Sequence, residues 1–450
     1  MFDKDFIFGT ATASFQIEGA YDIDGKVKSI WDKFCEDKTH ILDGSDGKMA
    51  CMSYYKYLDD IELIKSLGVD SYRFSIAWPR IVNEDFSIND KGLDYYHKFC
   101  LKLVENNIKP VVTLYHWDMP LFIEELGGFL NDNIVDWFYD YVDVVTKALG
   151  DIVFDYITIN EPQCIMYMGH KSCLHAPGVL YNDREMLHAI HNLLKCHGMA
   201  VKAIRKNVNE SKIGFAPCST AIVPVRNEYA LYKKCFDKFF ELGDNEFYSN
   251  LVSIYSDPVF LGDYPKEYYI RFKDMLPEIT KDDLELISQK IDYCYQNVYT
   301  GDYYDLDKNG NLYKLPNKLG LPMADVDWLR IVPEALYYIP KFLYERYHHP
   351  IIISENGTCC HDVISLDGKV HDPNRIDYIR RYLLNLELAS KEVDIRGYYY
   401  WSLLDNFEWA YGYRKRFGLV FVDYENYNRI PKDSFYEFMK IIKEKKIWSL

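Results

Sequence analysis

The tightest constraint on the fold is an alternation of two residue patterns along 450 residues. Short β-branched and aromatic runs read as eight strands, near 6–16, 69–78, 108–116, 153–161, 211–218, 291–299, 350–355 and 395–404. Longer segments with helical spacing lie between them, over roughly 47–67, 90–107, 134–149, 184–207, 227–255, 334–347 and 375–391. In the clearest, Ile134, Trp137, Phe138, Tyr141, Val145 and Leu149 share one face. Asn131 or Asp132 is placed to cap its start and Gly150 to end it. Strands separated by helices pair in parallel, because a parallel connection needs a crossover. Eight strand candidates, with no GxGxxG turn after the first, favour a closed barrel over an open doubly wound sheet. The expected fold is therefore an α/β (β/α)8 TIM barrel, one domain over 1–450, with a last helix at about 431–446. Segments 257–285 and 300–327, rich in Pro, Gly, Asp and Tyr, are expected to be long rim loops.

Composition excludes several functions. The net charge of −16 disfavours nucleic acid, whose binding relies on Lys and Arg neutralising phosphates. No apolar run is long enough to span a membrane, and Met1 to Phe8 lacks the basic-then-apolar pattern of a signal peptide. The 11 Cys are scattered, odd in number and without a CxxC pair, so they read as reduced thiols of a cytoplasmic chain. Vicinal Cys359 and Cys360 are not expected to carry metal or redox chemistry. The 73 aromatic residues (40 Tyr, 25 Phe, 8 Trp) serve mainly a bulky core, although such faces also suit sugar rings.

Catalytic groups of a barrel sit at the C-terminal ends of its strands. The polar residues ending the apolar runs are Gln16, Arg73, His116, Asn160 and Glu161, Asn297 and Tyr299, Glu355 and Asn356, with Trp401 at the last. Glu161 and Glu355, after the fourth and seventh strands, would face each other across the mouth. Facing carboxyls suit glycoside hydrolysis, one protonated to assist the leaving oxygen and one ionised to attack the anomeric carbon.

The motifs around these residues resemble glycoside hydrolase family 1. They are Thr158-Ile159-Asn160-Glu161-Pro162 and Ile353-Ser354-Glu355-Asn356-Gly357, with Phe8 to Gln16, Tyr72 to Trp78, His116-Trp117-Asp118 and Trp401 to Trp409 in order along nearly the whole chain. The resemblance implies a retaining, exo-acting β-glucosidase with Glu161 as acid/base and Glu355 as nucleophile. Arg73 would keep Glu355 ionised, Tyr299 would orient it, and Asn160 would bind the sugar 2-OH. Asn297 would stand with Tyr299 in the site. Gln16, His116, Glu408 and Trp409 would hold the remaining hydroxyls over a floor of Trp401, and Trp328 would flank the leaving group. Ser354 stands where Thr is common in the family, and Val298 where an aromatic is frequent.

Relatives that cleave 6-phosphorylated sugars carry Ser at the place of Glu408 and Tyr near Phe417, with a Lys between. Here Lys415 is present, but Glu408 and Phe417 are not the phosphate-binding types, so neutral sugars are expected. Short β-linked glucose oligomers such as cellobiose are the expected natural substrates, with an aryl glucoside as the laboratory stand-in and β-galactosides, β-fucosides and 6-phospho-β-glucosides as alternatives. Glu161 argues against the thioglucoside-cleaving branch, which has Gln there. A catalytically silent sugar-binding barrel is disfavoured by the presence of both carboxylates. A metal-dependent hydrolase is disfavoured because His188 with His191, and His348 with His349, lack a third ligand. No cofactor and no metal is expected, and the partner is a small oligosaccharide or glucoside. No nucleic acid or membrane is expected, and a homo-oligomer is left open. The sequons at Asn209 and Asn356 carry no meaning in a cytoplasmic chain.

Overall fold

The computed structural model describes residues 1–243, 247–317 and 320–447. Its strands are β1 (Ile7–Ala11), β2 (Ser71–Ser75), β3 (Lys109–Tyr115), β4 (Asp155–Asn160), β5 (Lys212–Ala216), β6 (Cys218–Pro224), β7 (Tyr293–Leu306), β8 (Leu312–Lys314), β9 (Ile351–Asn356), β10 (Ile395–Trp401), β11 (Val420–Asp423) and β12 (Asn428–Pro431). Eight of them form a ring of parallel pairs in the order β1-β2-β3-β4-β5-β7-β9-β10 and back to β1. The closing seam joins Ile7 to Gly397 and Ala11 to Trp401. Helices follow the strands on the outside, as in a (β/α)8 barrel. β2, β4 and β9 are buried along their whole length, which is why they read as near-continuous apolar runs.

The differences from the sequence reading are local. The expected first strand ends at Ala11, and Ser14–Ile17 form a helical turn. A fully buried run does not distinguish strand from helix by periodicity. Helix Ile134–Leu149 starts after Asn133, which makes no side-chain cap. The Asn131 side chain instead accepts from the Asn133 N–H, and Asp132 pairs with His188. Gly150 does end this helix, in a right-handed rather than left-handed conformation. The helix expected over 227–255 is two, Tyr229–Phe240 and Val252–Leu261; residues 244–246 of that span lie outside the described residues. Neither supposed rim loop is wholly loop. Segment 257–285 holds helices Lys266–Phe272 and most of Lys281–Ile287, the latter started by a Thr280–Asp283 capping box. Segment 300–327 continues β7 to Leu306 and returns through β8 as a hairpin. Its run of half-buried residues and its polar Asp307–Asn311 tip had masked the strand.

Behind the last strand, a buried charged cluster fixes the segment from Ser402 to Gly418. The Lys432 ammonium is fully buried and donates to Asp362 and Asp405, each at 2.6 Å. Asp405 also accepts from Arg416 at 2.7 Å and from the Gly418 N–H at 2.9 Å. Arg375 pairs with Asp362 and Asp372 on the far side.

Candidate active site

The C-terminal ends of the ring strands converge on one polar cluster. Arg73, on β2, reaches across the barrel axis: its Nη1 donates to Glu355 Oε1 at 2.7 Å and its Nη2 to Asn160 Oδ1 at 2.7 Å. Nε donates to Thr113 on β3 at 3.0 Å. Tyr299 Oη donates to the other Glu355 oxygen at 2.7 Å. Glu355 thus has a cation and a phenol on its two oxygens. Glu161 has neither; its Oε1 accepts from Asn297 Nδ2 at 2.8 Å. The same amide nitrogen donates to Asn160 at 3.0 Å, while Asn297 Oδ1 accepts from the Ser354 hydroxyl at 2.6 Å. Asn297 therefore presents its N–H2 end to both neighbours, and Ser354 fixes that orientation.

These environments act on the carboxyls unequally. Burial, then the Glu355 charge, pushes Glu161 up to about 7, against donors from Asn297 and Cys164. Burial also raises Glu355, but the Arg73 guanidinium and the Tyr299 hydroxyl pull it back. The Glu355 charge acts on Glu161, and the proton resides on the member without a cation, Glu161.

Local geometry supports the placement. Glu161 lies in the left-handed region at φ 44°, directly before the helix Pro162–His170, and Trp117 and Trp409 have φ of 74° and 50°. Such conformations in bulky residues cost about 1–3 kcal/mol each and cluster at functional sites. Gly357, two residues after Glu355, is required by packing: a Cβ there would lie 1.8 Å from the Trp401 carbonyl oxygen.

The other sequence-predicted residues border the carboxyls. Gln16 Nε2 donates to the Phe407 carbonyl at 2.9 Å and to Asn406 at 3.1 Å, with Glu408 at 3.4 Å. Its Oε1 is buried without a hydrogen-bond partner in the chain, as is His116 Nδ1. His116 Nε2 faces Asn160 Nδ2 at 3.1 Å, and burial holds the imidazole neutral, well below its usual range. The His116 ring stacks on Trp401 and Trp409, at centroid distances of 5.7 and 5.9 Å. Burial, with Glu355 and Glu161 nearby, pushes Glu408 up to about 8. Phe417 meets the Tyr299 ring edge-on at 6.4 Å. Trp328 meets it at 5.6 Å from the outside and is 41% exposed.

Each predicted residue thus joins one connected cluster. His188 and His191 do not; they turn to Asp132 and Tyr264. Sequence reasoning undervalued Ser354 and missed Thr113, Cys164 and Cys218. Ser354 sits inside the motif that was read, so its hydroxyl was the available signal. Cys164 Sγ lies 3.8 Å from Cys218 Sγ, and both are grouped with the Glu161 carboxyl. Their separation of 54 positions gave no sign of that pairing.

Residues 1–447 match the model of glycosyl hydrolase family 1. A β-glucosidase A of Acetivibrio thermocellus is 42% identical over 450 residues, covering 98% of each chain. A bifunctional β-D-glucosidase/β-D-fucosidase of Bifidobacterium breve is 37% identical, again covering 98% of each. The solved β-glucosidase of Thermotoga maritima in complex with glucoimidazole superposes with a TM-score of 0.88, at 40% identity and 98% coverage of each chain.

Proposed function

The chain belongs to glycosyl hydrolase family 1, and from that membership we propose the following activity and division of labour. It is a retaining β-glucosidase that removes terminal non-reducing β-D-glucosyl residues from short oligosaccharides such as cellobiose and from aryl glucosides. Glu355 attacks the anomeric carbon while Glu161 gives its proton to the departing oxygen, leaving a glucosyl ester on Glu355 and a free alcohol. Esterification removes the Glu355 charge that had raised Glu161. Glu161 then becomes a stronger acid, ionises, and takes the proton of the water that cleaves the ester. The observation that carries this reading is the unequal ligation of the two carboxyls, Arg73 and Tyr299 on Glu355 against an amide on Glu161.

The glycone would lie on Trp401. Asn160 would bind its 2-OH, and Gln16, His116, Glu408 and Trp409 its other hydroxyls, with Asn297 and Phe417 closing the sides and Trp328 beside the aglycone. The unpartnered Gln16 Oε1 and His116 Nδ1 support this assignment, since buried polar atoms normally find a partner. A 6-phosphate is disfavoured. Lys415 is paired with Asp325 at 3.4 Å, and Glu408 would have to keep its proton beside a dianion. β-Fucosides are the second reading, favoured by the name of the bifunctional relative. The chain works as one catalytic unit in the cytoplasm, in keeping with eleven free thiols and with described helices too short or too polar to cross a membrane.

The deciding experiment measures p-nitrophenol release from matched β-glucoside, β-fucoside and 6-phospho-β-glucoside, with wild type and Glu355→Ala. Preference for a neutral sugar and no turnover by the variant are expected. Preference for the phosphorylated sugar, or an active variant, would overturn the reading.

A further inference from the structure

Cys164 lies on the helix Pro162–His170, one turn after Glu161, and Cys218 opens β6 beside it. The two sulfurs are 3.8 Å apart. That is the spacing of two thiolates on one tetrahedral ion: sulfurs at ~2.3 Å from Zn²⁺ subtend about 3.8 Å. A carboxylate oxygen of Glu161 completes a group whose ligand atoms all lie within 4.8 Å of one another. Gln163 braces the pair, its Oε1 accepting from the Cys218 N–H at 3.3 Å while its Nε2 donates to the Cys218 carbonyl at 3.0 Å. Both residues are half-buried, unlike most of the other cysteines. Neither thiol gives or takes a proton in the hydrolytic steps, although Cys164 also donates toward Glu161.

We propose that Cys164, Cys218 and Glu161 form a site for a thiophilic divalent cation, Zn²⁺ or Cd²⁺, whose occupancy switches hydrolysis off. Two sulfurs and one oxygen select a soft ion over Mg²⁺ or Ca²⁺, which prefer oxygen-only sites. On binding, the two thiol protons and the Glu161 carboxyl proton pass to solvent, and the ion takes the Glu161 carboxylate as third ligand. The fourth position is left to water. A coordinated Glu161 has no proton for the leaving oxygen, so the ion acts on the same group as the chemistry. The switching half of the proposal rests on Glu161 as acid/base; the binding half does not.

The test titrates metal-stripped protein with Cd²⁺, following the ultraviolet cadmium–thiolate charge-transfer band, and with Zn²⁺ against a chromophoric chelator. The wild type is expected to show the band at one equivalent, with β-glucosidase turnover falling in step and returning with EDTA. Mg²⁺ should do nothing. Cys218→Ala and the milder Cys218→Ser should lose the band, and Glu161→Gln should weaken Zn²⁺ affinity at least tenfold. A band that persists in both Cys218 variants, an affinity unchanged in Glu161→Gln, or full turnover by the occupied enzyme would overturn the proposal. Stripped wild type inactive on every glucoside would instead remove the functional reading, since the band reports the ion independently of turnover.

Discussion

Glu161 and Glu355 are the same functional group in two environments, and the difference predicts how each responds to substitution. Glu161 gains acidity control from burial and from its neighbour's charge, which hold it up to about 7. Glu161→Gln is therefore expected to lower kcat/KM on cellobiose by ~10²–10⁴-fold, the usual worth of proton transfer. The loss on p-nitrophenyl glucoside should be much smaller, because that leaving group departs without a proton. Equal losses on both would mean that Glu161 is not the proton donor. Arg73 is the main group lowering Glu355. Arg73→Met should move the acid limb of kcat/KM to higher pH, since the nucleophile would then ionise later; an unmoved limb would remove Arg73 from that role. The proposed catalytic pair stood out in the sequence because each Glu closes a strongly apolar run and has an Asn beside it. Ser354 was harder to value. Its hydroxyl acts through Asn297, and a contact to a residue 57 positions away leaves no local pattern.

Between single residues and the whole barrel lie the elements, and the segment after β10 shows how one is held. Lys432 and Asp405 are fully buried and bind each other, with Asp362 as the second carboxylate on the lysine. Lys432→Met would leave two buried carboxylates without their shared cation, a loss of about 3–5 kcal/mol. Because Asp405 fastens Gly418 and Arg416 in the stretch that carries Glu408, Trp409 and Phe417, KM should rise as well. Denaturant unfolding and Michaelis kinetics on the variant check both; unchanged stability would show that the cluster repacks without its cation. Element type was legible wherever the pattern was long or fully apolar, as in the ring strands and helix Ile134–Leu149. It was not legible in the β7–β8 hairpin, where exposed residues and a polar turn look like loop. Boundaries failed where backbone geometry depends on tertiary contacts, as at Ser14–Ile17.

At the scale of the molecule, burial has raised several carboxyls together: Asp118, Glu124 and Glu161 to about 7, and Glu408 to about 8. Each binds its proton more tightly folded than unfolded. Their stabilisation is therefore complete below the ordinary carboxylate range and is lost as pH rises through 7 to 8. Buried histidines act oppositely. His170, His175 and His197, lowered to between about 3 and 4, stabilise above their ordinary 6.5 and lose that as pH falls. Above 6.5 the buried-histidine effect is complete and the carboxyl effect remains, so the urea midpoint should fall between pH 6.5 and about 8.5. Glu408→Gln should flatten that slope. A midpoint that rises over this interval would show these carboxyls already ionised in the fold.

The seam between β1 and β10 also governs how the protein comes into being. It joins Ala11 to Trp401, and the proposed sugar pocket gathers residues from Gln16 to Phe417. A chain emerging from the ribosome therefore holds its first strand unpaired on one side until Ile395–Trp401 has been made. Through that interval its apolar edges lie open to other nascent chains, a hazard that chaperones relieve. No truncated product ending before that seam can have a pocket, so activity in a cell extract counts finished molecules only.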